Sequence, residues 1–128
     1  MGNKTSYYDA DIEAAIGIFK GFVNSNEFKR IAENLHQIRI DNKSNKQLNN
    51  IEDMKVLTVD IREWLKDVWF PRAIETGLKY FAFVVPKDLV GSLSMKDANE
   101  EAQFIPNMEI KYFDNETSAR EWLKSKNS

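Results

Sequence analysis

A chain of 128 residues with 42% hydrophobic and 30% charged side chains can bury one compact core and has neither a disordered nor a fibrous composition. Its 18 basic residues are interleaved with 20 acidic ones, for a formal net charge of -2. The sequence therefore contains no cluster of basic residues that could bind nucleic-acid phosphates. We therefore expect a single domain over residues 1–128, with its core at roughly 7–124, and no nucleic-acid partner.

The absence of cysteine excludes disulfides, thiol nucleophiles and Cys-based metal sites together, and it favours a reducing compartment. The longest apolar runs, AAIGIF and YFAFVVP, are far shorter than the roughly 20 residues that span a bilayer, and MGNKTSYYD has no apolar secretory core. The start also fits the short pattern for myristoylation at Gly2, which we interpret as a chance match. We expect a soluble, cytoplasmic protein without stable membrane insertion.

The first elements in the chain are a predicted hairpin and a predicted helix. TSYYDADIEAAIGIFKGFV reads as two strands around an Asp-Ala-Asp turn, with Ile16 and Ile18 on one face and Gly17, Phe19 and Val23 on the other. NSNEFKRIAENLHQIRIDN then opens with Asn24 and Glu27 at capping-box spacing. Its apolar residues recur at helical spacing, which predicts an amphipathic helix with a buried stripe of Phe28, Ile31, Leu35 and Ile38.

The next predicted helix follows the segment LNNIEDMKVLT, in which we expect a buried strand to end and residues 53–57 to form a turn. TVDIREWLKDVWFPRAIETG has Asp60 and Glu63 in capping positions, Trp64 and Trp69 beside its apolar stripe, and a predicted inward stripe of Ile61, Leu65 and Val68. Gly77 suits a C-terminal cap. Because Pro71 lacks an N–H and its ring clashes with the preceding turn, the helix should kink or restart there.

The last part of the chain continues the alternation of strands and helices. KYFAFVV predicts an interior strand with Phe81 and Phe83 on one buried face and Ala82 and Val84 on the other. SLSMKDANEEAQ predicts a modest helix, MEIKYFD an alternating strand, and NETSAREWLKSK a terminal helix with Trp122 and Leu123 facing inward. Together the elements predict an α/β fold: a single mixed, mostly parallel sheet of about five strands that begins with an antiparallel hairpin, with about four helices packed on it.

Three stretches carry a family resemblance: GIFKGFVNSNEF, EWLKDVWFPRAIETGLKYFAFVVP and IKYFDNETSAREWL. They resemble STAS-like domains related to anti-sigma-factor antagonists, and more closely a bacterial branch labelled STAS/CRAL-TRIO-like, over roughly Tyr7 to Lys124. The most distinctive parts run from Trp64 to Ala73 and from Phe113 to Leu123. The resemblance implies a STAS-like fold, while the function transfers far less directly because one fold supports many unrelated sites.

The resemblance also directs attention to a phosphorylated hydroxyl. Anti-sigma-factor antagonists carry an Asp-Ser-[Ser/Thr]-Gly-like turn before their second helix, and a phosphate there switches partner binding. This chain lacks that tetrapeptide, and Thr58 is the only hydroxyl in its turn. Since threonine is an ordinary N-cap residue, we interpret Thr58 as a cap and expect no phosphoswitch.

A binding crevice is expected at the carboxyl ends of the strands, as in other open α/β sheets. The related branch tends to carry an alanine–aspartate pair where this chain has Asn49 and Asn50. A buried amide without partners is costly, so one of the two should face a loop, a cavity, water or a ligand; a hydrogen bond within its own loop is the simplest outcome. The candidate crevice residues are Asn50, Glu52, Asp53, Thr58 and Lys87.

Catalytic and metal chemistry find little support in the sequence. The acids from Glu52 to Glu63 match no known cation loop, and two of them already suit helix caps. The single histidine, His36, is expected at a boundary or on the surface, with no nucleophile identified beside it. The glycines form neither a P-loop nor a dinucleotide fingerprint. We expect no enzyme activity, no catalytic residue, no metal and no cofactor.

The aromatic residues around Pro71 suggest an interaction surface. Two large rings, Trp69 and Phe70, are hard to bury on one side of the helix, so at least one is expected to be partly exposed and, with Arg72, to contact a protein partner or a second copy in a homodimer. We therefore expect a non-enzymatic regulatory or interaction module. The alternative is a carrier or sensor of a small apolar ligand, which requires an internal pocket of several hundred Å³.

Overall fold

One mixed sheet organises the protein. The computed structural model describes residues 4–21, 23–54, 58–86 and 108–126. The sheet has the strand order β1-β2-β3-β4-β5, with bounds of Lys4–Asp9, Ala14–Gly21, Lys46–Met54, Tyr80–Val84 and Glu109–Phe113. Strand β1 pairs antiparallel with β2, and the three other pairs are parallel. The predicted mixed, mostly parallel sheet with an N-terminal hairpin is confirmed.

The described helices pack on both faces of this sheet. They are α1 at Ser25–Asn42, α2 at Val59–Trp64, a π-helical turn at Leu65–Trp69, α3 at Phe70–Glu75 and α4 at Glu116–Lys124. The elements from α2 to α3 follow one another without a break and are called the α2–α3 stretch below. The helix predicted from SLSMKDANEEAQ lies outside the described residues.

Two apolar clusters fill the space between sheet and helices. The larger lies under α1 and the α2–α3 stretch and includes Phe19, Phe28, Leu35, Ile61, Trp69 and Phe81. The smaller lies under α4 and includes Ile12, Ile16, Leu48, Val84 and Leu123, with Trp122 packed against it. This division confirms the predicted alternation: Ile16 and Ile18 belong to one face of β2 and Phe19 to the other.

Strand β4 is interior, as predicted, because β3 and β5 flank it. Phe81 and Phe83 pack in the larger cluster, and Ala82 and Val84 in the smaller. Three of the four are almost fully buried, while Phe83 is partly exposed.

Helix α1 begins as its sequence predicts and approaches the sheet closely. The Asn24 side chain accepts a hydrogen bond from the Glu27 N–H at 2.9 Å, which caps the helix. A Cβ on Gly17 of β2 would lie 2.8 Å from Leu35 Cδ1 and 3.3 Å from Asn49 Oδ1. The glycine therefore lets α1 pack directly against β2.

The α2–α3 stretch departs from the predicted helical stripe because of its π turn. The Phe70 N–H donates to the Leu65 carbonyl, five residues back, and α geometry resumes just before Pro71. The predicted restart at Pro71 is therefore confirmed. The wider turn brings Trp69 into the core at 1% exposure and leaves Val68 44% exposed. The predicted inward position of Val68 is wrong, and Trp69 takes its place.

Two further boundaries differ from the sequence-based expectation. Strand β3 continues through Asp53 to Met54, because its last residues still pair with the end of β2 across a register shift. The predicted turn is therefore wrong for Asp53 and Met54, and residues 55–57 lie outside the described part of the chain. The N-cap of α2 is Thr58, as interpreted above, whereas Asp60 lies in the first turn.

Candidate functional site

The predicted crevice residues do not converge on one site. Glu52 and Asp53 are exposed on the last part of β3, which pairs only with β2 among the described residues. Asn50 belongs to the face of the sheet that α4 covers, since its Nδ2 donates to Glu116 Oε1 at 3.1 Å. Lys87 lies outside the described residues.

Asn50 has its hydrogen bonds within the fold. Its Oδ1 accepts from the Glu52 N–H at 3.0 Å, which is the local loop contact expected for one of the two asparagines. Together with the bond to Glu116, this connects β3 to the first turn of α4. Asn50 thus acts as a connector between strand and helix, and the crevice role expected for it is not supported.

Thr58 caps α2 and joins a small group of exposed polar side chains. Its hydroxyl donates to Asp60 Oδ1 at 2.5 Å, and the Ser25 hydroxyl donates to Asp60 Oδ2 at 2.6 Å. These two hydrogen bonds, the Ser25 bond first, lower the pKa of the Asp60 carboxyl. The group therefore connects the starts of α1 and α2 through one carboxylate.

A small apolar cleft lies on the face of the sheet that α1 and the α2–α3 stretch cover, over the carboxyl ends of β3 and β4. Its volume is about 30 Å³, and five aromatic rings line it: Phe28, Trp69, Phe70, Phe81 and Phe83. Ile51 and Leu65 complete the apolar lining, and Asn49 supplies the one polar side chain. We call this feature the aromatic cleft. A carrier of apolar ligands needs several hundred Å³, about ten times this volume.

Asn49 reaches the aromatic cleft because successive strand residues point to opposite faces. Asn50 turns to α4, so Asn49 turns to α1, where its side chain is 5% exposed. Its Oδ1 accepts from Gln47 Nε2 at 3.0 Å. Of the two asparagines, the one facing a cavity is therefore Asn49.

Behind the aromatic cleft lies a buried polar network that the sequence did not reveal. Arg39 is 0% exposed and donates from Nε to Gln47 Oε1 at 2.8 Å and from Nη1 to Thr76 Oγ1 at 3.1 Å. Its Nη2 lies 2.5 Å from Nδ1 of His36. The expectation of a surface or boundary His36 is wrong: the residue is 1% exposed.

The network holds a buried positive charge among neutral acceptors. Burial lowers the pKa of the Arg39 guanidinium to about 10, so it is charged at neutral pH. Burial, followed by the charges of Arg39 and Arg72, lowers the pKa of His36 to about 4. His36 is therefore neutral at pH 7. Since Arg39 can only donate, His36 Nδ1 accepts and Nε2 carries the hydrogen.

A sequence signal for this network existed in the spacing of α1. Arg39 follows Leu35 by four residues, which places it on the same helical stripe as the predicted core positions. What the sequence could not show is that Gln47 and Thr76 would meet it with acceptors.

Of the three residues predicted to form the partner surface, Trp69 is buried, whereas Phe70 and Arg72 are at least partly exposed. Trp69 is 1% exposed, stacks on His36 and donates from its indole nitrogen to the Ala32 carbonyl at 3.2 Å, so its predicted surface role is wrong. Phe70 packs edge-on against Trp69 and is partly exposed. The Arg72 side chain is 54% exposed and lies 3.6 Å from Glu33. At least one of the two rings is thus partly exposed, as expected.

A second polar network ties the hairpin to α4. Arg120 donates to Asp9 at 2.5 Å, to Glu116 at 2.7 Å and to the Tyr7 hydroxyl at 2.8 Å. The hydrogen bond from Arg120 is the main cause that lowers the pKa of Asp9. Glu116 is also the residue that Asn50 contacts, so the network spans β1, β3 and α4.

Within the four described ranges, no three or more His, Asp or Glu side chains gather in a way that could hold a metal ion. Among the same residues, no helix combines the length and the apolar character required to cross a membrane.

Comparisons with known proteins agree with this architecture. The model of the SpoIIAA-like family matches residues 16–124. The fold is similar to the 2.25 Å crystal structure of an uncharacterised DUF3478-family protein with a SpoIIAA-like fold from Shewanella loihica PV-4. That similarity has a TM-score of 0.59 at 18% sequence identity and covers 94% of this chain and 91% of the other. No curated protein matches the sequence significantly.

Proposed function

Because the chain belongs to the SpoIIAA-like family, we propose that it is a non-enzymatic module that binds a protein partner, or a second copy of itself, through the surface around Phe70 and Arg72. Domains of this family are typically regulatory or interaction modules. The proposal includes a cytoplasmic setting, which the cysteine-free composition favours.

The observation that carries this proposal is the distribution of exposed apolar side chains. Among the described residues, four large hydrophobic side chains are exposed, and three of them, Val59, Val68 and Ile74, lie on the α2–α3 stretch. Val68 lies four residues before Arg72, and Ile74 lies four residues after Phe70, whose ring is partly exposed. We define the α2–α3 surface by Val68, Phe70, Arg72 and Ile74. Apolar side chains around an aromatic residue and an arginine are typical of interface centres.

The charges around Arg72 leave its guanidinium accessible. Its ion pair with Glu33 is long, and both side chains are at least one-third exposed, so solvent screens the pair and a partner carboxylate can replace it. A partner with an acidic or hydrogen-bond-accepting rim would complement this position.

Two observations separate this proposal from its alternatives. The aromatic cleft, at about 30 Å³, favours the module over the carrier or sensor of a small apolar ligand. The only hydroxyl between β3 and α2, that of Thr58, already donates to Asp60, where an added phosphate would meet a like charge. We therefore propose a module that does not use the usual phosphoacceptor.

The test compares association in the parent with association in a Phe70→Ala/Arg72→Ala variant, after circular dichroism confirms that both are folded. Sedimentation velocity measures self-association, and affinity capture followed by mass spectrometry measures partner binding. Loss of two central contacts should weaken association at least about 30-fold, which corresponds to about 2 kcal/mol.

Val59→Ser is the matched control, because Val59 is exposed on the same stretch but lies outside the α2–α3 surface. It should associate like the parent. If the double variant retains the parent's self-association and partner capture, the proposed surface is wrong.

A further inference from the structure

Just beyond the end of α4, the side chain of Lys126 lies against two aromatic rings. Its Nζ is 5.6 Å from the ring centroid of Tyr80 and 5.3 Å from that of Trp122. The two rings meet edge to face, with centroids 6.2 Å apart and an interplanar angle of 84°. Glu109 Oε2 lies 3.6 Å from the same Nζ. We call the group of Tyr80, Trp122 and Glu109 the ammonium site.

Three separate elements assemble this site. Strands β4 and β5 begin side by side, so Tyr80 and Glu109 are paired in register. Beyond α4, the backbone N–H of Lys126 donates to the Leu123 carbonyl at 3.1 Å, which keeps the chain close to a helical path. Lys126 follows Trp122 by four residues, a spacing that places both side chains on one face.

A comparison with Lys124 shows that the rings contribute to holding Lys126. Each of the two lysines has a carboxylate oxygen at 3.6 Å, from Asp11 for Lys124 and from Glu109 for Lys126. The Lys124 side chain is 63% exposed, whereas that of Lys126 is 27% exposed. Ion pairs of equal length do not account for this difference in exposure. The rings of Tyr80 and Trp122 do, because the negative face of an aromatic ring attracts an ammonium group that has lost part of its hydration.

Two other lysines lie over rings at this end of the sheet. Lys79 Nζ is 5.8 Å from the ring centroid of Tyr80, and Lys111 Nζ is 5.6 Å from that of Phe113. Both residues are exposed, as is usual for weak cation–π contacts on a protein surface. Lys126 is held more closely because two rings and a carboxylate converge on its ammonium group.

We propose that the ammonium site binds a lysine side chain of another protein and that Lys126 occupies the site until it is displaced. The occupant within the chain is itself a primary ammonium on an unbranched stem, which is the chemistry the site accommodates. The Glu109 side chain is 60% exposed, so an incoming cation can reach the carboxylate. Trp122 packs against the cluster under α4, whereas the α2–α3 surface lies on the other face of the sheet. The proposal therefore does not depend on the proposed function.

Occupancy by Lys126 determines how readily an external lysine binds. A side chain tethered this closely competes at an effective concentration in the millimolar range or above. The parent should therefore bind an added lysine weakly. Removal of the Lys126 side chain should free the two rings and the carboxylate for the external ligand.

The test uses two probes that differ at the ammonium group: N-acetyl-lysine-N-methylamide and its norleucine analogue, which has the same four-carbon side chain without the nitrogen. Each is titrated at constant ionic strength into the ¹⁵N-labelled full chain while NMR follows the indole N–H of Trp122. In Lys126→Ala the lysine probe should shift this signal in a saturable way and bind at least about fivefold more tightly than in the parent. The norleucine probe should bind at least about fivefold more weakly than the lysine probe.

Two further variants separate the site from a general effect of charge. Lys124→Ala removes the same charge from the same helix and should bind the lysine probe like the parent. Adding Glu109→Gln to Lys126→Ala removes the carboxylate and should weaken binding of the lysine probe at least about threefold. Absence of a saturable shift in Lys126→Ala, or equal binding of the two probes by that variant, would overturn the ammonium site. Equal affinities of the parent and Lys126→Ala for the lysine probe would overturn its occupancy by Lys126.

Discussion

The imidazole of His36 stacks on the indole of Trp69, with ring centroids 4.8 Å apart and ring planes at 22°. The same imidazole accepts from Arg39 through Nδ1, while its Nε2 has no acceptor among the described residues. A neutral ring fits this position. A protonated ring would place a second positive charge beside a buried guanidinium, so the stack should be sensitive to acid.

We predict that acidification destabilises the fold through His36. Its pKa is about 4 in the folded protein, below the ordinary value of 6.5, so the unfolded state binds more protons between these pH values. This contribution to stability is complete above pH 6.5 and is lost as the pH falls toward 4. The free energy of unfolding should fall by about 2 kcal/mol between pH 7.5 and pH 5, which urea unfolding at each pH can measure.

His36→Gln supplies the control for this prediction, because it retains an acceptor for Arg39 and removes the titrating ring. The variant should show a flatter pH dependence over the same range. Equal pH slopes for parent and variant would contradict the assignment. The charged groups whose effect on His36 is identified are Arg39 and Arg72, so the remaining slope reports carboxylates elsewhere.

Removal of the Arg39 side chain should be severely destabilising. Arg39→Ala leaves acceptors of Gln47, Thr76 and His36 without their donor and opens a void in the core. We expect a loss of at least about 3 kcal/mol in chemical denaturation. Arg30→Ala, at an exposed position of the same helix, should change stability by less than about 0.5 kcal/mol. Similar losses for both variants would refute the role of the network.

Arg120 should contribute more to stability than a surface cation on the same helix. Arg120→Ala removes hydrogen bonds to Tyr7, Asp9 and Glu116, and we expect a loss of about 1–3 kcal/mol. The pKa of Asp9 should rise toward its ordinary value, which an NMR pH titration can follow. Lys124→Ala is the control, since that side chain is 63% exposed and its Nζ lies 3.6 Å from Asp11 Oδ2, a long ion pair that solvent screens. An unchanged Asp9 pKa in the Arg120 variant would speak against this prediction.

Gly17→Ala should destabilise the contact between α1 and β2. The new Cβ would lie 2.8 Å from Leu35 Cδ1 in the buried core, and we expect a cost of about 1–3 kcal/mol. Combining it with Leu35→Ala tests the cause, because the smaller side chain makes room for the methyl group. The cost of the double variant should be less than the sum of the two single costs. Strict additivity would exclude this steric explanation.

The sheet and most helices could be predicted because apolar periodicity reports which face of an element is buried. The pairs Phe81/Phe83 and Ala82/Val84 show this directly on β4. The inward stripe of the α2–α3 stretch failed at Val68 because regular helical spacing contains no signal for a π turn. Likewise, β3 extends to Met54 because it continues to pair with β2. The polar residues Glu52 and Asp53 gave no apolar pattern from which this extension could be predicted.

The candidate site was harder to predict because it is made by polar contacts between distant elements. Sequence alone predicted that one of the two asparagines faces a loop, a cavity, water or a ligand, but it could not choose between Asn49 and Asn50, since that choice depends on the strand register. The burial of His36 and Arg39 depends on acceptors from β3 and the end of α3. Apolar patterning says nothing about such partners, so the network became visible only in the structure.

The π turn at Leu65–Trp69 has a consequence for comparing this chain with its relatives. A π turn accommodates one more residue than the α-helical turn it interrupts, so the segment is equivalent to a helix into which a single residue has been inserted. A relative with a regular helix here should align only with a one-residue gap between Leu65 and Trp69. Deleting Lys66 from this protein should remove the extra residue and restore an uninterrupted α-helical ladder up to Pro71. Such a deletion, usually disruptive in a helix, should therefore be tolerated better here than the deletion of Asn34 within the regular helix α1.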